Sequence, residues 1–579
     1  MSYRSYSESK HALSSGNATP ELPKRAASDY QRRPKPWWRR PAPLIWTFLL
    51  VAAVVAAAVL GAYYGIKNRV PNDGHQHKPL KLPSMGLATD AEGMREAGSF
   101  YTSSDSYKPK VFSWSDDGGV DLDATTSDLN GVDIVVNTSA VAQPMDGFGA
   151  AFTDSSCWLL FQLKQSNATN YEAVMDYFFN NRTGFSSIRV PIGSSDYSAQ
   201  GIYTFADTNA TITGGNSSLA NFTIQDTRAY ILPVLQDAVN RRPDLKIMLS
   251  TWTPPAWMKT SNNTNGGQLL YGQEPLYAEY LAKSYQALVR AGVTATSLTI
   301  QNEPTRGTET YPSSWLSASS EAAVAASLRT QLATMGYHPK IFVHDDNFSG
   351  WSRAVDAIKA NTSDGVAWHC YNGNASQLDD FNAATAGMSH EAHLTECTTT
   401  DDSDNQWWST KYWLSNFLFP TINRGVRSFM AWNIVLDKKS KPYIENAPCE
   451  NCQGAFTLTS PNNFMDPAMW AGNAQFIVTY HFAAATANLT RLGGGAAYRV
   501  AADAGTQMPS LGTAGLGCLS GISTFAAPWN GTNLATSSQK RIGMVVQNDC
   551  SRRTAMISVD GRRGTFKFSS GLTTLILNA

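Results

Sequence analysis

From about residue 143 onward, the chain alternates short apolar runs with longer amphipathic stretches of helical period. The short runs, rich in β-branched and aromatic residues, are 145–152, 187–193, 246–253, 297–304, 340–347, 365–371, 392–397 and 428–435. Alternation of strands and helices predicts a parallel sheet of the α/β class. Eight such units predict a closed (β/α)8, or TIM, barrel over residues 143–484. The alternative is an open, doubly wound sheet, but no Gly-x-Gly-x-x-Gly motif follows the first run.

The pattern changes after about residue 485, where Gly, Ala, Ser and Thr become frequent and strand-like runs recur. Examples are 541–547, 554–559 and 573–577. Repeated short strands of this kind predict an accessory β-sandwich over residues 485–579. The segment 109–142, which precedes the barrel, also contains a strand-like run, and we expect it to pack with the sandwich.

Residues 44–66 form a run of 23 residues without a charged side chain, and about 20 apolar residues suffice for a transmembrane helix. Residues 1–43 are rich in Lys and Arg, so the positive-inside rule predicts a cytoplasmic tail and a single-pass type II membrane protein. The rest of the chain would then be extracellular or lumenal, at the cell surface or in the secretory pathway. The polar residues 67–108 are expected to form a disordered stalk. A cleaved signal peptide is the rival interpretation, but its apolar stretch would be shorter and nearer to Met1.

The composition agrees with a large body outside the cytoplasm. The 579 residues are 42% hydrophobic and carry a net charge of zero, which gives no reason to expect a nucleic-acid partner. Twelve Asn-x-Ser/Thr sequons follow the apolar run and one precedes it, which favours a compartment that permits glycosylation and disulfides. Of the seven cysteines, Cys449–Cys452 and Cys518–Cys550 are the candidate pairs, and the odd number leaves at least one thiol free or paired with another chain.

Polar and aromatic residues concentrate at the ends of the predicted strands. They are Asp154, Arg189, Asp196, Trp252, Asn302, Glu303, His344, Asp345, His369, Tyr371, Glu396, Trp432 and Asn433. Each of them alone could be a structural or surface residue. Because TIM barrels form their active sites at the carboxyl ends of the strands, we expect these side chains to converge on one pocket.

Two of these residues, Glu303 and Glu396, suit the hydrolysis of a glycosidic bond. That reaction needs one carboxylic acid to protonate the leaving oxygen and a second carboxylate on the opposite face of the sugar. When the two groups lie about 5–5.5 Å apart, the second attacks to form a glycosyl-enzyme and the anomeric configuration is retained. Glu303 ends the fourth run and Glu396 the seventh, so both are expected on one rim of the barrel.

The motifs around these residues carry a family resemblance. They are Asp146-Gly147-Phe148-Gly149-Ala150-Ala151-Phe152-Thr153-Asp154, Ile188-Arg189-Val190-Pro191, Trp252-Thr253-Pro254-Pro255-Ala256-Trp257-Met258-Lys259, Gln301-Asn302-Glu303-Pro304, Leu394-Thr395-Glu396-Cys397 and Trp432-Asn433. The Asn-Glu-Pro motif resembles the acid/base motif of glycoside hydrolase clan A. The whole set, in this order over residues 143–484, resembles glycoside hydrolase family 30, which contains glucosylceramidases and fungal endo-β-1,6-glucanases.

The resemblance implies a role for each site residue. It makes Glu303 the general acid/base and Glu396 the nucleophile. The substrate-binding residues it implies are Asp154 and Trp432 for the terminal glucose, Asn302 for its 2-hydroxyl, Trp252 as pocket lining and Tyr371 as a hydrogen-bond partner of the nucleophile. The supporting residues are Arg189, His369 and Asn433. Arg189 is expected to keep Glu396 ionised, because a nearby cation lowers the pKa of a carboxyl group, whereas the pKa of Glu303 should be raised.

The substrate class stays open between two branches of the family. Similarity to fungal β-1,6-glucanases around Thr395-Glu396-Cys397-Thr398 and at the Cys449–Cys452 loop favours β-1,6-glucan of a cell wall. The alternative is glucosylceramide, in sphingolipid metabolism. A catalytically silent carbohydrate-binding surface protein is a third possibility, but it should lack one of the glutamates. No cofactor or metal is implied, since two carboxylates suffice, and we expect His344-Asp345-Asp346 to play a supporting role.

Overall fold

The structure is a computed structural model that describes part of the chain. The described residues are 88–90, 111–113, 134–179, 184–207, 219–400, 406–447, 449, 451–458, 474–493, 496–503, 519–528, 533–534, 536–537, 540–549, 553–568 and 571–578. The predicted tail, the predicted transmembrane helix and all of the predicted stalk except residues 88–90 lie outside these ranges. Within them, no helix combines the length and the apolar character that crossing a bilayer requires.

The secondary structure of the described ranges, in chain order, is as follows. The strands are β1 (Ala88–Asp90), β2 (Val111–Ser113), β3 (Ile134–Pro144), β4 (Gly147–Ala151), β5 (Ser187–Ile192), β6 (Lys246–Thr251), β7 (Ser297–Thr299), β8 (Lys340–Asn347), β9 (Gly365–His369), β10 (Glu391–Glu396), β11 (Val426–Ala431), β12 (Val435–Asp437), β13 (Phe456–Leu458), β14 (Tyr498–Asp503), β15 (Leu519–Pro528), β16 (Lys540–Asn548), β17 (Arg553–Val559), β18 (Arg562–Phe568) and β19 (Gly571–Asn578). The helices are α1 (Asp154–Ser166), α2 (Ala168–Phe179), α3 (Gln225–Arg228), α4 (Ile231–Arg241), α5 (Glu274–Arg290), α6 (Ala318–Thr334), α7 (Trp351–Lys359), α8 (Gln377–Ala384), α9 (Gln406–Trp413), α10 (Phe419–Ile422) and α11 (Ala474–Gly493). A π-helical turn, Leu414–Leu418, joins α9 to α10, and 3-10 turns lie at Ala256–Met258 and Phe348–Gly350.

Strands β4 to β11 close into a parallel barrel in the order β10-β11-β4-β5-β6-β7-β8-β9. These are the eight runs read from the sequence, so the prediction of a (β/α)8 barrel is confirmed. Strands such as β5 and β9 are buried along their whole length, as expected for parallel strands covered on both faces. The fourth strand, β7, is shorter than its predicted run, because the polar residues after Thr299 leave the sheet and reach the rim of the barrel.

The first barrel strand, Gly147–Ala151, has a glycine where its neighbour lies very close. Gly149 of β4 pairs with Ser187 of β5, and a Cβ at Gly149 would overlap the carbonyl oxygen of Ser187. Glycine at this position therefore lets the two backbones approach, which explains part of the Gly-Phe-Gly-Ala-Ala sequence at the start of the barrel.

Amphipathic helices cover the outside of the barrel. Helix α5 has a proline in its first turn and buries Leu281 and Leu288 on one face. Helix α6 begins at the N-cap residue Ser317, whose side-chain oxygen accepts a hydrogen bond from the backbone N–H of Ser320. Their buried faces join a single apolar core that runs around the barrel.

An ion-pair network lies at the amino end of the barrel, opposite the predicted site. Arg427 pairs with Asp146 at 2.7 Å and with Glu391 at 2.5 Å, while Lys246 and Lys340 each pair with one of these two carboxylates. These residues begin or precede strands β4, β6, β8, β10 and β11. These charged residues at the amino end of the barrel therefore contribute to stability rather than to catalysis.

The C-terminal strands belong to one continuous hydrogen-bonded sheet of nine strands. The sequence predicted a β-sandwich, which would have two separate sheets. Its order is β1-β19-β16-β15-β14-β3-β17-β18, with β2 paired to β19. Apolar side chains from both ends of this path, such as Leu575 of β19 and Ala555 of β17, belong to one core cluster. The sheet therefore curves on itself to enclose a core of its own. Strands β2 and β3, from the segment predicted to pack with this domain, both pair within it, as does β1 from the predicted stalk.

Helix α11 joins the barrel to this sheet. Phe482, near its middle, lies 5.4 Å from the ring of Phe148 in β4 and 6.1 Å from that of Phe525 in β15, centroid to centroid. The predicted domain boundary between residues 484 and 485 falls inside this helix. Apolar packing through α11 thus fixes the sheet against the side of the barrel, away from its carboxyl end.

Candidate active site

Glu303 and Glu396 lie together at the carboxyl end of the barrel. Glu396 is the last residue of β10, and Glu303 follows β7. One carboxylate oxygen of each lies within 4.8 Å of the other and of a ring nitrogen of His369. Both glutamates line a cavity of about 730 Å³. An upper limit of 4.8 Å between these oxygens fits the separation of about 5–5.5 Å in retaining pairs, which act by double displacement, better than the roughly 6.5–9.5 Å of inverting pairs.

Arg189 of β5 forms an ion pair with the carboxylate of Glu396. Its Nη1 donates to Glu396 Oε2 at 2.5 Å, and its Nη2 donates to Asn302 Oδ1 at 2.7 Å and to Asp345 Oδ2 at 2.8 Å. The guanidinium is fully buried, and burial alone would lower its pKa, but Asp345 and Glu396 outweigh burial and raise it. The side chain is therefore a permanent cation that orients the carboxylate of Glu396 and the amide of Asn302 together.

Asp345 is the buried counter-charge of the site. Its Oδ2 accepts from Thr299 at 2.6 Å and Ser250 at 2.9 Å, besides Arg189, and its Oδ1 accepts from Thr395 at 2.6 Å. Burial opposes its ionisation, but Arg189 and the hydrogen bonds lower its pKa far below that of an ordinary aspartate. Asp345 is thus an anchor for other side chains, in agreement with the supporting role predicted for this tripeptide.

A β-bulge brings Asp345 into this position. His344 and Asp345 have positive φ angles of 75° and 42°, and the pairing register of β8 with β9 shifts between Val343 and Asp346. Bulges of this kind re-aim side chains beside active sites. Glu303 is likewise in the left-handed region, with φ 43°, and its N–H donates to the carbonyl oxygen of Asp345 at 2.9 Å. The bulge therefore also fixes the backbone of the acid/base candidate.

His369, the last residue of β9, lies between two carboxylates. Its Nδ1 is 3.4 Å from Glu303 Oε1 and its Nε2 is 3.3 Å from Asp345 Oδ1. Burial alone would lower the pKa of His369, but Glu396, Asp345 and Glu303 outweigh it and raise the pKa to about 10. The ring is then an imidazolium at neutral pH, and each of its N–H groups donates a hydrogen bond to one of these carboxylates. His369, which the sequence predicted as a supporting residue, therefore carries a positive charge in the site.

The pKa of Glu396 differs from the simple expectation. The hydroxyl of Tyr371 donates a hydrogen bond to Glu396 Oε1 at 3.0 Å, and Arg189 donates one to the other oxygen. Even so, burial and the neighbouring Glu303 raise the pKa of Glu396 against the opposing influence of His369 and Arg189. Arg189 therefore orients the carboxylate of Glu396, but it does not by itself lower the pKa of that group below the ordinary value.

Aromatic side chains form one wall of the cavity. Trp252 and Trp432 stack with their ring centroids 5.1 Å apart, and the Arg189 guanidinium lies 4.8 Å from the Trp252 ring. Asp196, beyond β5, also lines the cavity, and its Oδ1 is buried without a hydrogen-bond partner among the described residues. Burial, followed by the charges of Glu396 and Glu303, raises the pKa of Asp196 well above the ordinary value. A sugar hydroxyl could supply the missing partner.

Two predicted residues, Asp154 and Asn433, neither line the cavity nor contact its carboxylates. Asp154 starts helix α1, and its carboxylate already accepts from the hydroxyls of Tyr203 at 3.0 Å and Tyr230 at 2.7 Å and from the Ala199 N–H at 2.7 Å. These protein donors occupy the oxygens that the prediction assigned to glucose. Asn433 is fully buried beneath the site and accepts from Thr153 through its side-chain oxygen. Of the ten predicted residues, Glu303, Glu396, Trp252, Asn302, Tyr371 and Trp432 line the cavity, and Arg189 and His369 contact its carboxylates.

A disulfide that was not predicted links the ends of two adjacent barrel strands at the site. Cys370 follows His369, Cys397 follows Glu396, and the two sulfurs are bonded. The positions of these cysteines at the ends of adjacent strands could have indicated the pair. The predicted Cys449–Cys452 disulfide is confirmed and also lines the cavity. Cys157 is a buried free thiol, and the proposed partners Cys518 and Cys550 lie outside the described residues.

The barrel and its paired glutamates, on the fourth and seventh strands, define a glycoside hydrolase of the TIM-barrel class. The chain belongs to glycosyl hydrolase family 30, because the TIM-barrel domain of that family matches residues 145–446. The family resemblance read from the motifs is thereby confirmed.

Relatives of this chain fall in both branches of the family. The chain is 28% identical over 330 residues to an endo-1,6-beta-D-glucanase of Neurospora crassa, covering 55% of this chain and 66% of that protein. It is 28% identical over 332 residues to the lysosomal acid glucosylceramidase of Mus musculus, covering 52% and 61%. It therefore spans about two thirds of the length of these relatives. The solved endo-beta1,6-glucanase BT3312 shares the fold, with a TM-score of 0.63 at 24% identity and coverage of 76% of this chain and 92% of that one.

Proposed function

We propose that this protein hydrolyses β-linked glucosides with retention of configuration, and that its substrate is β-1,6-glucan of a cell wall. The observation that carries the proposal is the approach of one oxygen of Glu303 and one of Glu396 to within 4.8 Å. That spacing leaves room for one anomeric carbon between the two groups and none for an additional water molecule.

In the first step, Glu396 attacks the anomeric carbon while Glu303 gives a proton to the departing glycosidic oxygen. In this step Glu303 acts in its protonated form and Glu396 acts as the carboxylate. Glu396 accepts from both Arg189 and Tyr371, which stabilise its anionic form. The sugar oxygen then draws the proton away as the bond breaks.

In the second step, Glu303 takes a proton from water, and the resulting hydroxide displaces Glu396 from the anomeric carbon. The charge of Glu303 alternates between the two steps, and His369 lies 3.4 Å from one of its oxygens. A fixed imidazolium at this distance stabilises the carboxylate form of Glu303 after it has released its proton. Asn302, held by Arg189, is positioned to bind the hydroxyl next to the anomeric carbon.

The relatives do not separate β-1,6-glucan from glucosylceramide, since a glucanase and a glucosylceramidase each align with this chain at 28% identity. The sequence pattern after Glu396 and the Cys449–Cys452 loop at the cavity favour the glucanase branch. Glucosylceramide is the second candidate substrate. A silent carbohydrate-binding protein is disfavoured, because both carboxylates are present and ordered by buried charges.

A hydrolysis panel tests the proposal. The full chain is assayed on β-1,6-glucan, β-1,3-glucan, glucosylceramide and an aryl β-glucoside, and proton NMR follows the anomer first released. We expect β-1,6-linked oligosaccharides from the first substrate and a β-anomer as the initial product. Activity on glucosylceramide alone would reject the glucan assignment, and an α-anomer would reject retention.

A matched pair of substitutions tests the mechanism. Glu396→Gln should lower kcat roughly 10³-fold or more, because the covalent step is lost. Glu309→Gln, at an exposed position after Glu303, should leave kcat unchanged. Full activity of the Glu396→Gln protein would overturn the assignment of the nucleophile.

We also propose that residues 44–66 anchor the protein as a single-pass type II membrane protein. The support is the uncharged run and the basic residues before it. Membrane fractionation of cells that express the full chain or a chain lacking residues 44–66 tests this. Recovery of both in the soluble fraction would reject the anchor.

A further inference from the structure

An exposed aromatic pair stands at the mouth of the cavity. The rings of Trp408 and Tyr412 are stacked, with centroids 5.6 Å apart and planes 15° from parallel. Trp408 is 53% exposed and Tyr412 is 46% exposed, whereas Trp252 and Trp432 deeper in the same cavity are 2% exposed. The cavity therefore has two aromatic zones, a buried one around the catalytic carboxylates and an open one at its rim.

Trp408 and Tyr412, called here the rim pair, are held at a fixed place relative to the nucleophile. Both residues belong to α9, the helix that follows β10 and its terminal Glu396. The next residue, Trp413, is buried and packs edge-on against Phe429 of barrel strand β11, with centroids 5.8 Å apart. Anchoring through Trp413 makes the exposed rings part of a rigid wall, so contacts made there add to binding at little conformational cost.

The lining around the rim pair suits a carbohydrate better than a lipid chain. Hydroxyl side chains line the same cavity, from Thr398, Thr399, Thr400 and Ser409. Among the described residues that line the cavity there is no Leu, Ile, Val or Met. An alkyl chain would gain most from aliphatic surface. A glucose unit instead presents apolar C–H faces to aromatic rings and hydroxyls to polar groups around them, which is the combination found here.

We infer that Trp408 and Tyr412 form a subsite for a second glucose unit of the substrate, next to the unit that Glu396 attacks. The inference rests on the proposed function. The subsite makes the enzyme act on glucan chains in preference to single glucosides. Because the pair lies on the cavity wall and the cavity is continuous from rim to carboxylates, one chain can fill both zones at once.

Substitution of the pair, with two probes, tests the subsite. The variants are Trp408→Ala, Tyr412→Ala and the double change, and the control is Tyr271→Ala, at a fully exposed tyrosine outside the cavity. One probe is a β-1,6-linked glucose tetramer, which reaches the rim. The other is β-glucosyl fluoride, whose leaving group is too small to reach it. We expect the double variant to lose about tenfold or more in kcat/KM for the tetramer, the scale of an aromatic contact, and to stay within about twofold for the fluoride.

Each other outcome rejects the subsite in a recognisable way. Equal losses on both probes indicate general damage to the site, and no loss on either indicates that the rings bind nothing. A loss on glucosylceramide larger than on the tetramer assigns the pair to the lipid part of a substrate instead. A wild-type protein inactive on both probes rejects the proposed function itself. A wild-type protein active on the fluoride and not on the tetramer keeps the retaining chemistry but rejects both the β-1,6-glucan substrate and the subsite, whereas the variant outcomes above, with an active wild type, reject the subsite alone.

Discussion

Replacing His369 with glutamine removes a buried positive charge from the centre of the site. The ring is fully buried, and both of its nitrogens face carboxylates, of Glu303 and Asp345. Burial works against the charged ring, but these carboxylates and Glu396 raise the pKa to about 10 from the ordinary 6.5. Glutamine has a similar reach and can still donate one hydrogen bond, so the change isolates the charge.

The magnitude follows from the two pKa values. In the unfolded chain His369 titrates near 6.5, so below that pH both states are protonated and the stabilisation is complete. As pH rises toward 10, the folded state keeps a proton that the unfolded state has lost, and the stabilisation falls away. For these two values, the contribution to the free energy of unfolding decreases by about 2.5 kcal/mol between pH 7 and pH 9.

Urea unfolding of the wild type and of His369→Gln, measured from pH 6 to pH 10, gives this contribution as the difference between the two proteins. We expect the wild type to be more stable at pH 6, and the difference to shrink by about 2.5 kcal/mol from pH 7 to pH 9. Other titrating groups cancel in the difference when they do not contact the ring. A difference that is constant with pH would show that the ring is neutral in the folded protein and would refute the reasoning.

Three further changes probe the surroundings of the site. Tyr371→Phe removes the hydroxyl that donates to Glu396, and kcat should fall about tenfold with little change in KM; an effect on KM alone would contradict this. Changing Cys370 and Cys397 together to Ser removes a disulfide that spans 27 positions of the sequence. The free energy of unfolding, measured in urea, should fall by about 3 kcal/mol, and kcat should fall as well. An unchanged kcat would mean that the disulfide does not position the site. Glu391 lies at the amino end of the barrel, where burial would raise its pKa but the cationic neighbours lower it to about 2. The contribution of Glu391 to stability is therefore present above pH 4.5 and lost as the pH falls toward 2. Acid unfolding of Glu391→Gln should show a weaker pH dependence in that window, and an identical acid midpoint would count against it.

The barrel could be predicted because its strands are buried on both faces and leave short apolar runs in the sequence. The bounds of β8 agree with the predicted run, while the runs around β7 and β9 extend into the residues that leave the sheet. The C-terminal sheet was harder to predict, because its pairs are distant in sequence. Strand β17 pairs in parallel with β3, more than 400 positions earlier, and no local pattern encodes such a partner.

The two catalytic candidates could be predicted because strand order places both on one rim, but the surroundings depend on backbone detail. Asp154 follows a strand like the other site residues, yet it starts a helix and turns toward Tyr230. Asp345 became the anchor of the site through a bulge, which changes the face on which a side chain lies. Asp196 was visible in the sequence, but its unpaired oxygen in the cavity depends on the path of the loop after β5.

Arg189 links catalysis to the assembly of the whole barrel. Its side chain starts on the second barrel strand and bonds to Ser250 on the third, Asn302 after the fourth, Asp345 on the fifth and Glu396 on the seventh. A barrel that buried Arg189 without the fifth or the seventh strand in place would leave the guanidinium without one of its two carboxylate partners, at a cost of several kcal/mol. The side chain that orients the nucleophile therefore also makes the burial of its own charge depend on strands that are distant in sequence having come together.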